Sequence, residues 1–290
     1  MKPTFSIILP CWNSINFIER CVESIKRQTF KNFEVIIIDN SSKDGTVEKI
    51  KQIKDSRIKI FSINNKGILA KSRNLGIKKS NAEWVAFLDS DDWWTQDKLE
   101  VCFNNINDKV DFIYHDLEIK SEQPKIFGRK KNKSRYLKKP VLIDLLIKGN
   151  AISNSSVVVR KRLLDVIGGI DEHKDLPAAE DYNAWLRIAQ LTDQFVYLPY
   201  KLGYYFVHKQ GMSNKDMSIP VQQAVAEFMA GLSHKQKIKV EANFKYLSGR
   251  FNYLNCNYKK AKKNLSFVLQ NGNKSLKIRA LAMTMLLFFK

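Results

Sequence analysis

Val85-Ala86-Phe87-Leu88-Asp89-Ser90-Asp91-Asp92 is an apolar run that ends in three carboxylates within four residues. A short apolar run bounded by turn-forming residues reads as a buried strand, and ligands in open α/β sheets gather beyond the carboxyl ends of strands. Carboxylate oxygens in that position suit Mg2+ or Mn2+, hard ions that also take phosphate oxygens, so the turn has the chemistry to clamp a nucleotide diphosphate. An acidic turn capping a helix that begins near Thr95 would look the same, and Asp-x-Asp alone does not separate the two readings.

Upstream, Ile36-Ile37-Ile38-Asp39-Asn40-Ser41-Ser42-Lys43-Asp44-Gly45-Thr46 delivers acidic residues at a second strand end. Asp39 is an acceptor-only group suited to the N–H of a uracil ring, while Asp44-Gly45 forms a turn whose polar neighbours cap the next helix. Strands are expected at Phe5–Leu9, Phe33–Asp39, Ile58–Ile63, Trp84–Asp89, Asp111–Leu117, Ser156–Val159, Phe195–Leu198 and Gly203–Val207. Helical patterns alternate with them. Phe17, Ile18, Cys21, Val22 and Ile25 share one face behind an Asn16/Glu19 capping box. Thr46–Gln52, Ala70–Lys79, Thr95–Ile106, Arg162–Ile167 and Asp181–Leu191 follow. Such alternation is the signature of an α/β fold with a largely parallel sheet. Ser121 to Lys139, with Lys130-Lys131-Asn132-Lys133-Ser134-Arg135 at its centre, is basic and weakly patterned and reads as a loop or insertion. After about Met217 only helical patterns remain, so residues 1–216 are expected to form one domain and 217–290 a helical extension.

With 290 residues, 44% hydrophobic and 27% charged, the chain has the composition of a folded protein with a sizeable core. Its net charge of +20 implies acidic partners: nucleotide phosphates, a lipid diphosphate, an anionic membrane face or nucleic acid. From His234 onward thirteen Lys and Arg face the single acid Glu241, so +12 of the total sits in the tail. Cys11, Cys21, Cys102 and Cys256 form no C-x-x-C pair, which argues against a zinc site or a disulfide framework and for reduced thiols in the cytoplasm. The apolar stretches Phe5–Leu9 and Ala280–Phe289 are too short for a signal peptide or for a membrane span of ~20 residues.

The segment Ser6-Ile7-Ile8-Leu9-Pro10-Cys11-Trp12-Asn13 resembles the opening strand of the bacterial glycosyltransferase family 2, and the Asp39 segment resembles its second. Asn65-Lys66-Gly67 with Ala70-Lys71-Ser72-Arg73-Asn74-Leu75-Gly76 is similar to its next block, and Asp89-Ser90-Asp91 to its metal motif. Gly168-Gly169-Ile170-Asp171-Glu172 and Glu180-Asp181-Tyr182-Asn183-Ala184-Trp185-Leu186-Arg187 resemble its acceptor-side blocks. The likeness runs in order through roughly the first 215 residues, which is far more specific than any one motif. It implies a GT-A fold, a mixed and mostly parallel sheet flanked by helices. Pro10, Trp12, Asn13, Asp39 and Arg73 would surround the nucleotide, with Trp12 stacking on the base. Asp89 and Ser90 would face the ribose and donor sugar, and Asp91 would hold the metal, with His208 approaching the metal or diphosphate. Asp181 would be the catalytic base and Glu180 would position a substrate. Asn40 departs from a commonly acidic position, Cys11 is unusual beside the strand-end proline, and no arginine precedes His208 where the family has one. Without the resemblance, Glu180-Asp181 reads first as an acidic pair favoured at a helix N-terminus, and His208 equally as an ordinary strand residue.

The expected activity is metal-dependent inverting transfer of a hexose or N-acetylhexosamine from a nucleotide-diphosphate sugar, UDP-linked, to a glycan hydroxyl in surface-polysaccharide synthesis. Mn2+ or Mg2+ is the expected cofactor, and a polyprenyl-diphosphate-linked glycan the expected acceptor. Ala242, Tyr246, Leu247, Gly249, Arg250, Tyr253, Tyr258, Ala261, Phe267 and Leu269 resemble a tetratricopeptide-type helix pair turning at Asn255–Asn257. This basic tail suits either the inner face of the cell membrane, at ~1 kcal/mol per Lys or Arg near anionic lipid, or a repeat-like pair packed on itself, on the catalytic domain or on a second copy in a homodimer. Nucleic acid is not among the expected partners. Two rival readings are a sugar nucleotidyltransferase, disfavoured by the glycine-free Pro10-Cys11-Trp12-Asn13-Ser14 loop, and a non-catalytic basic scaffold, which leaves the strand-end carboxylates without a use.

Overall fold

The computed structural model describes residues 2–122, 134–208 and 215–287. The centre of the basic loop at 123–133, the segment 209–214 after His208 and the last residues 288–290 lie outside the described residues. By internal packing the chain groups into two compact units. The first comprises Met1–Leu137, Ala151–Glu172 and Gln190–Lys209; the second comprises Lys138–Asn150, His173–Ala189 and Gln210–Lys290.

The first unit holds one sheet of eight described strands: β1 (Phe5–Cys11), β2 (Phe33–Asp39), β3 (Ile58–Ser62), β4 (Trp84–Phe87), β5 (Trp93–Trp94), β6 (Phe112–Ser121), β7 (Val158–Arg160) and β8 (Phe195–Val207). Their order is β3-β2-β1-β4-β7-β6-β8-β5. β3, β2, β1 and β4 run parallel, with Cys11 opposite Asp39 and Ile8 opposite Phe87. β7 is antiparallel to both β4 and β6, β8 is parallel to β6, and β5 is antiparallel to β8. Reading directions across the sheet, β1, β2, β4, β6 and β8 all release their carboxyl ends at one edge, and β7 begins there. All seven residues of β1 and all seven of β2 are buried, as the continuous apolar runs require of strands covered on both faces.

Helices α1 (Ile18–Lys26), α2 (Thr46–Gln52), α3 (Leu69–Lys79), α4 (Lys98–Asn104) and α6 (Lys161–Val166) belong to this unit. α1 buries Ile18, Cys21, Val22 and Ile25, the expected face, against a core that includes Phe5, Ile7, Leu9, Val35, Trp94 and Leu99. Each such side chain taken fully from water contributes about 1.5–3 kcal/mol. α3 lies so close to β1 that a Cβ on Gly76 would stand 2.5 Å from Ile8 Cγ2. The Asn16/Glu19 capping box does not form: Phe17 is the N-cap without a side-chain bond, the Ser14 carbonyl accepts from the Phe17 and Ile18 amides, and Glu19 pairs with Lys49 at 2.8 Å.

The second unit contains α5 (Val141–Lys148), most of α7 (Glu180–Leu191), α8 (Ser218–Val225), α9 (His234–Leu254), α10 (Tyr258–Asn271) and α11 (Lys274–Leu287). Ser233 and Gln236 cap α9 reciprocally, Asn257 caps α10, and the turn between them falls at 255–257. Leu265, Val268, Leu276 and Ala280 form the small core of the α10–α11 layer. Asn243 on α9 donates to the Leu146 and Ile147 carbonyls of α5 at 3.1 and 3.0 Å. Among the described residues no helix is long and apolar enough to cross a membrane.

Candidate active site

The common strand edge of the first unit collects the acidic turns. Beyond β1, Pro10 and Cys11 lead into Trp12, which is 63% exposed, and Asn13, which adopts a left-handed φ of 44°. This loop is sewn to the turn after β2 by short-range polar bonds. The Asn13 amide donates to Ser42 Oγ at 2.9 Å, and Asn13 Oδ1 accepts from the Lys43 amide at 3.0 Å. The Ser14 amide donates to Thr46 Oγ1 at 2.8 Å and the Ile15 amide to Asp44 Oδ2 at 3.0 Å. Asp44 therefore braces the loop and α2, and Gly45 enters that helix at φ 90°, as the turn reading requires. Ser14 Oγ also lies 2.9 Å from Ser90 Oγ, tying both loops to the turn after β4.

Asp39 is buried at the end of β2. Its Oδ2 accepts from the Ser42 amide at 3.0 Å and its Oδ1 from Cys11 Sγ at 3.7 Å, which leaves each oxygen a further lone pair. Burial, then the Asp39 charge, pushes the Cys11 thiol far up, so it remains a donor. Asn40 Oδ1 accepts from the Asn65 amide at 2.8 Å, a task that a carbonyl oxygen performs as well as the carboxylate usual there.

Arg73, only 3% exposed, donates to Asp89 Oδ1 at 2.8 Å. The residue expected beside the base is thus the counter-ion of the first motif carboxylate, with the guanidinium buried and the carboxylate half-buried. Asn154 Nδ2 adds a second bond to the same oxygen at 2.9 Å, and Ser155 Oγ accepts the Asp89 amide at 3.1 Å. Asn154 and Ser155 escaped the sequence reading. They arrive because β7 runs antiparallel to β4, so the chain that precedes β7 meets the end of β4.

Asp91 Oδ2 lies 3.0 Å from His208 Nε2. His208 follows β8, whose carboxyl end shares the edge with β4, and its ring packs against Phe17 at 4.8 Å and Phe206 at 5.8 Å. Asp92 is fully buried. Its Oδ1 accepts the Phe206 amide at 2.9 Å and its Oδ2 has no partner among the described residues. Burial, then the charge on Asp89, raises the Asp91 pKa against the lowering effect of His208; burial, then Asp91 and Asp89, raises Asp92 well above the usual range. In both groups burial is the larger cause and the neighbouring carboxylates add to it.

Among the described residues no group of three or more His, Cys, Asp and Glu side chains is arranged to hold a metal. The Asp91–His208 pair nonetheless fits a divalent ion that keeps waters and takes phosphate oxygens. Neighbouring ligands on an octahedral ion with bonds of about 2.1 Å stand roughly 3 Å apart, and such ions commonly take only one or two protein carboxylates.

Glu180 and Asp181 stand on the first turn of α7 in the second unit, Glu180 buried and Asp181 half-buried. Asp181 Oδ1 accepts the amide of Tyr182 at 2.6 Å. The helix is anchored by Tyr182 Oη donating to the Leu145 carbonyl at 2.8 Å and by Asn183 Nδ2 donating to the Ala224 carbonyl at 3.0 Å.

A mixed sheet with this strand order, acidic at one edge and flanked by helices, is the GT-A fold. Solved structures share it: TarS residues 1–349 of S. aureus in complex with UDP-GlcNAc superposes with a TM-score of 0.68 over 93% of this chain and 82% of that one, at 20% identity. The mannosyltransferase PcManGT of Pyrobaculum calidifontis, in complex with GDP-Man and Mn2+, gives 0.64 over 100% of this chain and 82% of that one, at 17% identity. The sequence profile of glycosyl transferase family 2 matches residues 6–168, and the chain belongs to that family. Over 184 residues it is 32% identical to the Escherichia coli UDP-Glc:alpha-D-GlcNAc-diphosphoundecaprenol beta-1,3-glucosyltransferase WfgD, a match covering 63% of this chain and 68% of that one. A shorter stretch of 111 residues is 30% identical to glycosyltransferase GlyG of Streptococcus pneumoniae, covering 38% of this chain and 37% of that one. Family membership sets aside the nucleotidyltransferase and scaffold readings.

Proposed function

We propose that the chain transfers a hexose or N-acetylhexosamine, with inversion, from a UDP-sugar to a hydroxyl of a lipid-diphosphate-linked glycan during surface-polysaccharide synthesis. The observation that carries this reading is the Asp91–His208 pair, 3.0 Å apart, beside an Asp89 already neutralised by Arg73. The relative that acts from UDP-Glc on a diphosphoundecaprenol-linked GlcNAc supports the choice of donor and acceptor classes.

The residues divide the labour by charge. Asp39 and the Trp12–Asn13 loop bind the base, Trp12 offering an exposed ring to stack on it. Asp89, held at one oxygen by Arg73 and Asn154, orients ribose and donor sugar through the other. Asp91 and His208 would hold Mn2+ or Mg2+, which when bound supplies positive charge to the departing diphosphate. Asp181 removes the proton from the attacking hydroxyl and Glu180 positions a substrate, as general-base catalysis of a displacement at the anomeric carbon requires.

The tail extends the proposal to the inner face of the cell membrane. On α11, Ile278, Leu281, Met285 and Leu286 are exposed, with Lys274, Lys277 and Arg279 on the same helix. This combination suits an anionic lipid surface. Sedimentation with anionic vesicles at low salt is expected; a stable dimer that ignores vesicles would reassign the helix.

The activity test is the purified protein with Mn2+, a panel of nucleotide sugars and a polyprenyl-diphosphate GlcNAc acceptor. Acceptor-dependent release of UDP is expected, lost under EDTA and reduced about a thousandfold in Asp181→Asn. Full turnover in EDTA refutes the metal role, and full turnover in Asp181→Asn refutes the base.

A further inference from the structure

Arg20 has no part in the roles assigned above. It projects from the exposed side of α1, yet its guanidinium is held at three points. Nη2 donates to the backbone carbonyl of Asp91 at 3.1 Å, and Cζ stands 3.7 Å from the Trp93 ring and 4.6 Å from the Phe206 ring. Trp93 is itself stacked on Tyr204 across the β5–β8 ladder, with centroids 4.9 Å apart. Phe206 stacks on His208 and gives its amide to Asp92. One planar cation therefore touches the chain that carries Asp91 and the strand that carries His208.

We infer that Arg20 is a positioning residue for the Asp91–His208 pair, an inference that rests on the reading of that pair as the ion-holding element. β5 is only two residues long and follows the acidic turn directly, so its ladder alone gives the turn little support. A guanidinium lying over two rings while donating in its own plane supplies what the ladder lacks, and lysine, a point charge on a flexible stem, does not reproduce it. The choice of acceptor matters. A cation bonded to the Asp91 carboxylate would compete with a metal for its oxygens, whereas one bonded to the Asp91 carbonyl fixes the residue without occupying either Oδ atom, of which Oδ2 faces His208. Gly203 belongs to the same device: a Cβ there would stand 2.9 Å from Trp94 Cδ1 and 3.0 Å from the Trp93 carbonyl, so its absence lets β5 close on β8.

The test is calorimetric titration of UDP, and in parallel GDP, into the purified full chain in EDTA and across a series of Mn2+ concentrations. Wild type, Arg20→Lys, Arg20→Gln and Asp91→Ala are compared, with melting temperatures recorded. The tighter of the two nucleotides is expected to bind wild type more strongly in Mn2+. Both Arg20 variants should need roughly five- to twentyfold more Mn2+ for the same enhancement, with affinity in EDTA unchanged. An enhancement unaltered in both Arg20 variants but lost in Asp91→Ala overturns this inference alone. An equal loss with and without Mn2+ also overturns it, because it marks general loosening of the fold. A wild-type protein indifferent to Mn2+ overturns the ion-holding reading and this inference with it.

Discussion

Replacing Lys98 by methionine should make the protein more stable. Lys98 opens α4 with no exposed surface, its Nζ has no hydrogen-bond partner among the described residues, and it stands 3.7 Å from the Trp94 ring. Burial lowers its pKa from 10.5 to about 8. At about 1.4 kcal/mol per unit, the charged amine is disfavoured in the fold by about 3 kcal/mol at pH 7. Lys98→Met keeps the stem volume, removes that penalty and forfeits a cation–π contact of about 1–2 kcal/mol, so a net gain of about 1–2 kcal/mol is expected. The pH dependence has a definite sign. Between about pH 8 and 10.5 the native amine is neutral while the unfolded one still binds its proton, so wild-type stability rises with pH through this window. The advantage of the variant should therefore be largest at pH 7 and shrink as pH climbs towards 10.5. Urea midpoints of both proteins from pH 6 to 10.5, compared as a difference so that other titrating groups cancel, provide the assay. A variant less stable at pH 7, or a difference flat in pH, would refute the assignment of Lys98 as an uncompensated buried cation.

Two further expectations concern the same unit. His115 is fully buried, and burial, then the Lys98 charge, lowers its pKa to about 3 against the opposing bond to the Asp116 carbonyl. It contributes stability above pH 6.5 that is lost as pH falls towards 3, so His115→Gln should show a shallower acid-side loss of urea midpoint than wild type. Gly76→Ala places a methyl group 2.5 Å from Ile8 Cγ2 and should cost about 1–3 kcal/mol, with partial recovery in the Ile8→Ala background read by thermal melting.

The first half of the sheet was legible because each strand there is a local event. β1 and β2 are apolar runs closed by a proline region and an aspartate, and the structure extends the first to Cys11 and keeps Phe33–Asp39 for the second. The expected strand at Trp84–Asp89 stops at Phe87, since the carboxylates that mark its end belong to the turn. The two strands expected at Phe195–Leu198 and Gly203–Val207 are one strand, continuous through Pro199 beside the register shifts in its pairing with β6. α5 was missed because Val141-Leu142-Ile143-Asp144-Leu145-Leu146-Ile147 is apolar enough for a buried strand or a buried helix, and period alone does not choose. β5 was missed for the opposite reason: Trp93–Trp94 acquires strand character only from Gly203 and Tyr204 across the sheet. The candidate site divides likewise. Asp39, Asp89 and Asp91 are visible because their strands deliver them, whereas Arg20, Asn154 and Ser155 enter through pairing and packing that no local pattern carries.

These two kinds of residue are of different electrical character, and the difference bears on how the site works. What holds the loops to one another is mostly neutral: Ser14 to Thr46 and Ser90, Asn13 to Ser42 and Lys43, Ser155 to the Asp89 amide. Such bonds rigidify without fixing a net charge. At Asp91 and Asp92 one imidazole and a guanidinium bound to a backbone carbonyl face two carboxylates whose pKa values are both raised, chiefly by burial. Local rules of charge satisfaction are broken here and obeyed around it, which is the pattern expected where a ligand completes the structure. Under the proposed function, a frame assembled beforehand from neutral bonds would lose little entropy on binding a cation and a diphosphate, and their attraction would not be spent on ordering the loops.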